Sequence, residues 1–302
     1  MTHTDRPALG IALRILSGVL LAGMFICVKA VSQDVPLGEI VFFRSAFAII
    51  PLVVFLWLRQ EFPQGLATRR PGGHLLRASF GAMALFASFA AIARLNIAEA
   101  ILIAQLSPIL MAIAAVGLLG ERLTLWRGGA LALGFAGVIV MLWPELGTQG
   151  GSDARLTGVL LALLSATLSA LAMIMVRSLN RTESPGAIAL YFVLASMIGA
   201  LATLPSGWVM PGGWTLLALV GAGLLGGFGH IAMTLAFRYA EATRLAPFEY
   251  IALIWPILAD LVIFRLPLSS SFVLALPLVL IGAALAAAER PRAAENAPAP
   301  RR

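Results

Sequence analysis

The chain has 302 residues, of which 60% are hydrophobic and 12% are charged, and its mean hydropathy is +0.96. A soluble domain carries about 25% charged residues, so this composition excludes a soluble globular protein and indicates one that resides in a lipid bilayer. The formal charge of +7 is compatible with nucleic acid or acidic lipid as a partner, and equally with basic residues sorted to one side of a membrane.

Ten apolar segments follow in chain order, each of a length that suits a helix across the hydrocarbon core, which takes about 20 residues. The N-terminal stretch does not resemble a signal peptide, because its apolar run is too long and no small-residue cleavage site is evident, so we expect it to form the first span. The charged, Pro- and Ala-rich segment 289–302 is expected to be a disordered cytoplasmic tail. The predicted spans are 9–31, 36–58, 75–93, 97–119, 124–143, 156–178, 184–207, 213–237, 245–265 and 269–288.

The basic residues predict the orientation of these spans. If the N-terminus is cytoplasmic, all 21 lysines and arginines fall on the cytoplasmic side except Lys29, Arg44, Arg94, Arg155 and Arg265. This is a clear positive-inside bias, so both termini are expected in the cytoplasm. The net charge then reflects topology, and nucleic acid is not expected as a partner.

The second half of the chain repeats the first at an offset of 148 residues. Residues 16–43 align with 164–191 without a gap, and the same offset holds across about 95 residues. The repeat unit therefore comprises five helices, in segments 9–143 and 156–288. Because five is odd, the second unit enters the membrane upside down, which predicts an all-α membrane protein of two inverted five-helix repeats. Many secondary transporters have this architecture. Matched residues include Gly38 with Gly186, Phe80 with Phe228, and Pro108 with Pro256.

The two matched prolines lie in the middle of their predicted helices. Proline removes a backbone hydrogen bond and kinks a helix, although membrane helices tolerate it readily. Because Pro108 and Pro256 occupy equivalent repeat positions, we interpret them as hinges beside a cavity at mid-membrane.

Polar side chains form a stripe on the ninth predicted helix. Helical spacing places Glu249, Pro256 and Asp260 on one face, with Tyr250 beside them. Charges that face lipid are costly, so this face is expected to meet a wet interior. Alternatively, Glu249 lies at the cytoplasmic membrane interface rather than in the wet interior. Asp260 either forms a structural pair with Arg44, or serves proton coupling or substrate binding.

Several further residues are candidates for the lining of a cavity. His230 is either hydrogen-bonded to a neighbouring helix, or contacts substrate or titrates, and the glycines around it allow a close approach. Gln105 precedes Pro108 by one helical turn and is a candidate hydrogen-bonding group for a substrate, with helix–helix contact as its alternative. Aromatic side chains either pack against helices and lipid or line the cavity. They include Phe80, Phe228, Tyr250 and Trp255.

Cysteine and histidine are too sparse for a cofactor or metal site. Cys27 is the single cysteine, and the histidines His3, His74 and His230 are far apart. Neither an intrachain disulfide nor a metal-binding spacing is available, and no GxxxxGK followed by Ser or Thr occurs. We therefore expect no cofactor, and coupling to ATP would require a partner protein.

Two phrases, LSPILMAIAAVGLLGERLT (106–124) and RYAEATRLAPFEYIALIWPILADLVIF (238–264), resemble the EamA family of the drug/metabolite transporter superfamily. With the two mid-helix prolines and the five-plus-five repeat, the resemblance covers nearly all of residues 9–288. It is greatest to bacterial aromatic amino acid exporters of the YddG type, and the chain is also similar to uptake carriers for S-adenosylmethionine or riboflavin. The second repeat departs from the family pattern. Where the first repeat has GER (120–122) before its fifth helix, the second has FRLPLS (264–269), which lacks the acidic residue.

The resemblance implies a central cavity walled by helices 1–4 and 6–9. Gln105, His230, Tyr250 and Trp255 are then cavity candidates. The implied function is export of aromatic and other neutral amino acids and related metabolites across the bacterial inner membrane by alternating access. The partners are then a small-molecule substrate and the bilayer, and the sequence carries no signal for an oligomeric state.

Other classes of function are less compatible with the sequence. An uptake carrier for S-adenosylmethionine, riboflavin or a similar metabolite is the alternative within the family. An intramembrane enzyme would need a metal cluster, a nucleophile with its base or paired acids, and none of these patterns occurs. A channel more often assembles its pore from several chains.

Overall fold

The computed structural model describes residues 6–63, 66–119, 125–146, 153–179, 182–240, 245, 248 and 251–288, and every regular element within these ranges is a helix. A 3₁₀ turn, Leu204–Ser206, follows the eighth helix, and a π-helical turn, Ala259–Ile263, directly follows the tenth. The predicted disordered tail 289–302 lies outside the described residues. The helices are α1 (Pro7–Val31), α2 (Leu37–Leu58), α3 (Pro71–Ile92), α4 (Ile97–Ala104), α5 (Ser107–Leu119), α6 (Leu125–Leu146), α7 (Asp153–Leu179), α8 (Pro185–Leu201), α9 (Gly213–Tyr239), α10 (Ile254–Leu258) and α11 (Ser270–Ala288).

Five of these helices, α1, α2, α3, α7 and α9, are long and apolar enough to cross a membrane. Shorter apolar helices occupy the other predicted spans. The chain is therefore a multi-pass, all-helical membrane protein over the residues that the structure describes. Two predicted spans are interrupted: 97–119 divides into α4 and α5, and the described part of 245–265 contains α10 and the π-helical turn.

Local sequence explains where several helices begin. Pro7, Pro71 and Pro185 occupy the first positions of α1, α3 and α8, where the missing N–H removes no helical hydrogen bond. Ser184 caps α8, because its hydroxyl accepts a hydrogen bond from the Ala187 N–H at 3.1 Å. These starts fix where each helix enters the bundle.

The interruptions coincide with the two prolines. The α4 helix ends before Gln105, and Pro108 lies in the first turn of α5, where proline is tolerated. Pro256 lies inside α10, and the backbone widens into the π-helical turn directly afterwards. The backbone therefore departs from a regular α-helix at both predicted hinge positions.

The helices pack in pairs around a large buried apolar cluster, with two smaller clusters beside it in the part of the chain that the structure describes. The α1 and α2 helices pack along α9, α3 packs along α7 and α8, α2 also contacts α8, and α6 packs along α11. Residues from both halves of the chain build the large cluster, among them the fully buried Val28 and Ile97 from the first half and Val159 and Leu219 from the second. The core therefore joins the two halves.

Close approach of α6 and α11 depends on Gly282. A Cβ at this position would lie 2.8 Å from the Ala130 carbonyl oxygen and 3.0 Å from the Gly134 nitrogen. These are backbone atoms, which cannot move aside as a side chain can. Small residues at such contacts let membrane helices pack backbone against backbone.

We predict that Gly282→Ala destabilises the protein by about 1–3 kcal/mol through overpacking. Thermal unfolding of the purified protein in detergent should show a lower Tm. The matched control is Gly129→Ala on α6, because a Cβ there meets nothing within 4 Å. Equal Tm values for the two variants would contradict this role of Gly282.

Candidate functional site

The residues predicted for the cavity lie in several parts of the fold. Glu249 and Tyr250 lie outside the described residues. Gln105 stands at the break after α4, with a half-buried side chain and a backbone N–H that donates to the Ile101 carbonyl at 3.2 Å. Phe80 is half-buried on α3, whereas Phe228 on α9 is 51% exposed.

Trp255 lines an apolar groove of about 430 Å³ between α1 and α10. Val19 and Gly23 form the α1 side, and Val262 forms part of the other side. Val262 is 70% exposed, so the groove opens towards the outside of the bundle. The indole N–H of Trp255 is buried without a hydrogen-bond partner.

Arg44 is buried inside the contact between α2 and α9, where it is 1% exposed. Its guanidinium occupies space that Gly226 leaves open, because a Cβ there would lie 3.4 Å from the Arg44 Nε. The Nε and Nη1 atoms are buried and have no hydrogen-bond partner. The predicted pair of Arg44 with Asp260 is not formed, so this prediction was wrong.

Arg77 is a second arginine inside a helix that is long and apolar enough to cross a membrane, and the sequence did not single it out. It was assigned to the cytoplasmic side, since it lies only two residues inside the predicted span 75–93, but α3 begins earlier, at Pro71. Its guanidinium lies over the Phe192 ring, 4.6 Å from the centroid, and occupies the space beside Gly81, where a Cβ would meet Nη1. Its Nε and Nη1 are also buried without a partner.

His230 lies one helical turn after Gly226, the α9 glycine that packs against Arg44. Its side chain is exposed, although it lies deep in the bundle, where the positive charges of Arg44 and Arg77 act on it. A side chain that is exposed in the interior of a bundle lines an internal space. Within the part of the chain that the structure describes, no carboxylate pairs with either arginine. We call Arg44, Arg77 and His230 the cationic set.

Asp260 is fully buried and holds the start of α4. Its two carboxylate oxygens accept hydrogen bonds from the backbone N–H groups of Ile97, at 3.1 Å, and Ala98, at 2.7 Å. These N–H groups have no partner within the helix, and a negative charge is favourable at a helix N-terminus. This contact explains why Asp260 does not reach Arg44.

Lys29 holds the end of α3 in the complementary way. Its Nζ donates to the carbonyl oxygens of Ile92, at 2.7 Å, and Leu95, at 2.6 Å. Glu99 in the first turn of α4 pairs with Arg155 of α7 at 2.7 Å. We call Lys29, Glu99, Arg155 and Asp260 the charged clamp. It joins α1, α3, α4, α7 and the π-helical turn at one end of the bundle.

A smaller polar contact lies at the opposite end, where α8 begins. Glu183 accepts a hydrogen bond from the Arg69 N–H at 3.2 Å and lies 3.3 Å from His74 Nε2. Burial raises the pKa of the Glu183 carboxyl, but the hydrogen bonds from His74, Thr68 and Arg69 outweigh it and hold the pKa below its ordinary value of 4.5. This contact ties α3 to the connection between α7 and α8.

Charged groups inside a bundle of apolar helices often mark a substrate or ion pathway in a membrane protein, and family comparison identifies the class as a transporter. The EamA-like transporter family matches residues 8–143 and 156–288, and the chain belongs to this family. The expected family is therefore confirmed. Its relatives are transporters rather than enzymes, and so is this protein.

The names of two relatives indicate which molecules related proteins transport. The pseudopaline exporter CntI of Pseudomonas aeruginosa is 30% identical over 251 residues, which cover 82% of this chain and 84% of that protein. The riboflavin transporter of Rhizobium johnstonii is 28% identical over 263 residues, covering 86% of this chain and 84% of that protein. These relatives support small-molecule transport in general and do not single out the aromatic amino acid exporters.

The fold also matches a solved crystal structure. The TM-score is 0.64 at 22% sequence identity, and the match covers 92% of this chain and 96% of that one. This likeness supports the helical fold.

We predict that Asp260→Ala lowers stability by about 2–4 kcal/mol, because two N–H groups of α4 lose a charged acceptor. The Tm should fall by roughly 4–8 °C, and Asp260→Asn should lie between this variant and the wild type. Asp34→Ala, at an exposed position on the same side of the bundle, is the matched control. A wild-type Tm for Asp260→Ala would overturn the capping role.

The lowered pKa of Glu183 predicts how the stability of the folded protein depends on pH. Because its pKa is lower in the folded protein than the ordinary 4.5, it stabilises the fold above that pH, and this stabilisation is lost as the pH falls through the folded pKa. Thermal unfolding between pH 3 and 7 should therefore show a smaller acid-induced loss in Glu183→Gln than in the wild type. The control is Glu61→Gln, at a half-buried surface pair with Arg59, which should show the same pH dependence of Tm as the wild type. If Glu183→Gln also shows the wild-type pH dependence of Tm, the prediction is wrong.

Proposed function

We propose that the protein is a secondary transporter that exports amino acids, aromatic and other neutral ones, and related metabolites across the bacterial inner membrane by alternating access. In this proposal ten helices cross the membrane as two inverted five-helix repeats, residues 9–143 and 156–288. Both termini are cytoplasmic, so the charged clamp lies at the outer face and Glu183 at the inner face.

The packing of the helices is the observation that carries this proposal. The repeat pairs α1 with α7, α2 with α8, and α3 with α9. The contact of α1 with α9 then has its counterpart in α7 with α3, and α2 with α9 has its counterpart in α8 with α3. The α2–α8 and α6–α11 contacts join repeat mates to each other. This pattern is what a two-fold relation between the halves requires.

Close contacts follow the same relation. Gly10 on α1 packs against Ala240 after α9, where a Cβ would lie 2.6 Å from the Ala240 Cβ. Its repeat mate Gly158 on α7 packs against Leu95 after α3, where a Cβ would lie 2.8 Å from the Leu95 Cγ. Two halves with equivalent contacts can exchange conformations, and such an exchange opens a central site first to one side and then to the other.

The chemistry of the interior suits an amino acid or a related metabolite. The cationic set offers donors for an acidic group, and Phe192 and Met24 stand beside the two guanidinium groups. Gln105 and Trp255 provide further polar and aromatic groups at the interruptions in the helices. Pro108 and Pro256 would act as hinges there, and Glu249 and Tyr250 remain candidates for coupling and for cavity lining.

Uptake of riboflavin, S-adenosylmethionine or a similar metabolite is the second candidate function. The riboflavin transporter among the relatives favours it.

Counterflow in proteoliposomes tests the proposal. Vesicles that contain the purified protein are preloaded with a mixture of amino acids, and uptake of labelled tryptophan, phenylalanine, methionine and threonine is followed. We predict saturable exchange that falls about three- to tenfold in Gln105→Ala and Trp255→Ala, as expected for the loss of one hydrogen bond or one aromatic contact.

Two matched variants serve as controls. Gln33→Ala removes an exposed side chain that donates to the Ala93 carbonyl, and Trp57→Ala removes an indole that is 67% exposed. Both should exchange as the wild type does. Exchange of riboflavin or S-adenosylmethionine without exchange of any amino acid would favour the second candidate function and overturn the first.

A further inference from the structure

We propose that Arg44 and Arg77 form a binding site for a carboxylate, with His230 in the same space, so that the transported molecules are organic carboxylates. This inference rests on the proposed transport function and specifies its substrate class. Arg77 adds a second guanidinium to that of Arg44.

Arg44 supplies the first argument. A guanidinium is always charged, and burying it is costly unless hydrogen bonds and an opposite charge compensate for the lost water. Arg44 is 1% exposed, and its Nε and Nη1 have no partner. The contact with Gly226 shows that the packing makes room for the group rather than expelling it. An arginine retained in this way has donors available for an anion that binds and leaves.

Arg77 supplies the second argument. The Phe192 ring lies against its guanidinium, and such stacking leaves the N–H groups at the edge of the guanidinium plane available. Nε and Nη1 have no partner, and each can donate a hydrogen bond to an acidic oxygen. Hydrogen bonds from a guanidinium to a carboxylate are among the strong ones, because both groups are charged.

His230 relates the two arginines to one space. The charges of Arg44 and Arg77 both act on it, and its side chain is exposed inside the bundle. Arg44 lies about two turns into α2 and Arg77 about two turns into α3. Because these helices run in opposite directions in the proposed topology, the arginines approach the middle of the membrane from opposite faces. In this proposal the carboxylate binds between them.

The surroundings favour an organic carboxylate over a small inorganic anion. Met24 and Phe192 border the guanidinium groups, and Leu20 and Leu21 pack beside Gly229, next to His230. An apolar wall of this kind contacts the carbon skeleton of a substrate while the arginines hold its acidic group.

Ligand-induced stabilisation of the purified full-length protein in detergent tests this proposal, because a ligand that binds the folded state raises Tm in a concentration-dependent way. The probes are matched pairs that differ in the acidic group: phenylalanine against phenylalaninamide, and succinate against succinamide. Orthophosphate is a third probe. We expect at least one carboxylate to raise Tm while its amide does not. We also expect Arg44→Gln and Arg77→Gln to weaken carboxylate binding roughly ten- to hundredfold.

The variants also separate a binding role from a structural one. Since Arg44 has buried donors without partners, Arg44→Gln should raise the Tm of the ligand-free protein while it removes the response to carboxylate. A structural arginine would give the reverse, a lower Tm in the absence of ligand. Arg94→Gln is the matched control, because this exposed arginine donates only to the Ala90 carbonyl and should leave the response unchanged.

Three results would overturn the carboxylate site: equal stabilisation by acids and amides, a full carboxylate response in both arginine variants, or stabilisation by orthophosphate and by no carboxylate. The counterflow assay tests the proposed function separately. Transport of amino acids and their amides at equal rates would leave the transporter and remove the carboxylate site. Carboxylate binding that depends on both arginines, without counterflow of any carboxylate, would retain the site and remove the transport function.

Discussion

The turn between α3 and α4 is held by two opposite charges, and the arrangement of the bundle depends on them. Lys29 donates to carbonyl groups at the end of α3, and Asp260 accepts from N–H groups at the start of α4. Asp260, Ile97 and Ala98 are fully buried, so the N–H groups at the start of α4 find no water and must be satisfied by the protein. Lys29 belongs to α1 and Asp260 to the π-helical turn. The contact therefore joins the beginning, the middle and the end of the chain at one place.

This interaction shows why the sequence revealed the location of Asp260 but not its partner. Helical spacing placed Asp260 on a face expected to meet a wet interior, whereas its carboxylate is fully buried at the start of α4. A single sequence shows charged side chains but not the free N–H groups at a helix start, so Arg44 was the visible candidate partner. The backbone of Ile97 and Ala98 supplies the partner instead. Similarly, the interruption after α4 could not be read from an unbroken apolar run, although Pro108 marked its neighbourhood.

Arg77 was missed for a different reason. Lysine and arginine near the end of a span are usually assigned to the aqueous side, because their long side chains reach the interface. Gly81, one turn further into α3, gives the guanidinium room on the side of the membrane interior, and Phe192 from the other half provides its contact. The ring belongs to the repeat mate of Arg44, so the offset of 148 residues relates the two arginine environments. The repeat could be found from sequence, whereas the direction of one side chain required the fold.

The same repeat shows that the two ends of the bundle are not equivalent. By the offset of 148 residues, Lys29 corresponds to Arg177 and Asp260 to Ala112. The carboxylate that holds α4 thus has no acidic counterpart in the other half, so the charged clamp cannot be reproduced at the opposite end. If the halves exchange conformations, the clamp stabilises only the state in which it is formed. A ligand at the cationic set can shift that balance only by binding the other state more tightly, which requires Arg44 and Arg77 to approach it differently in the two states.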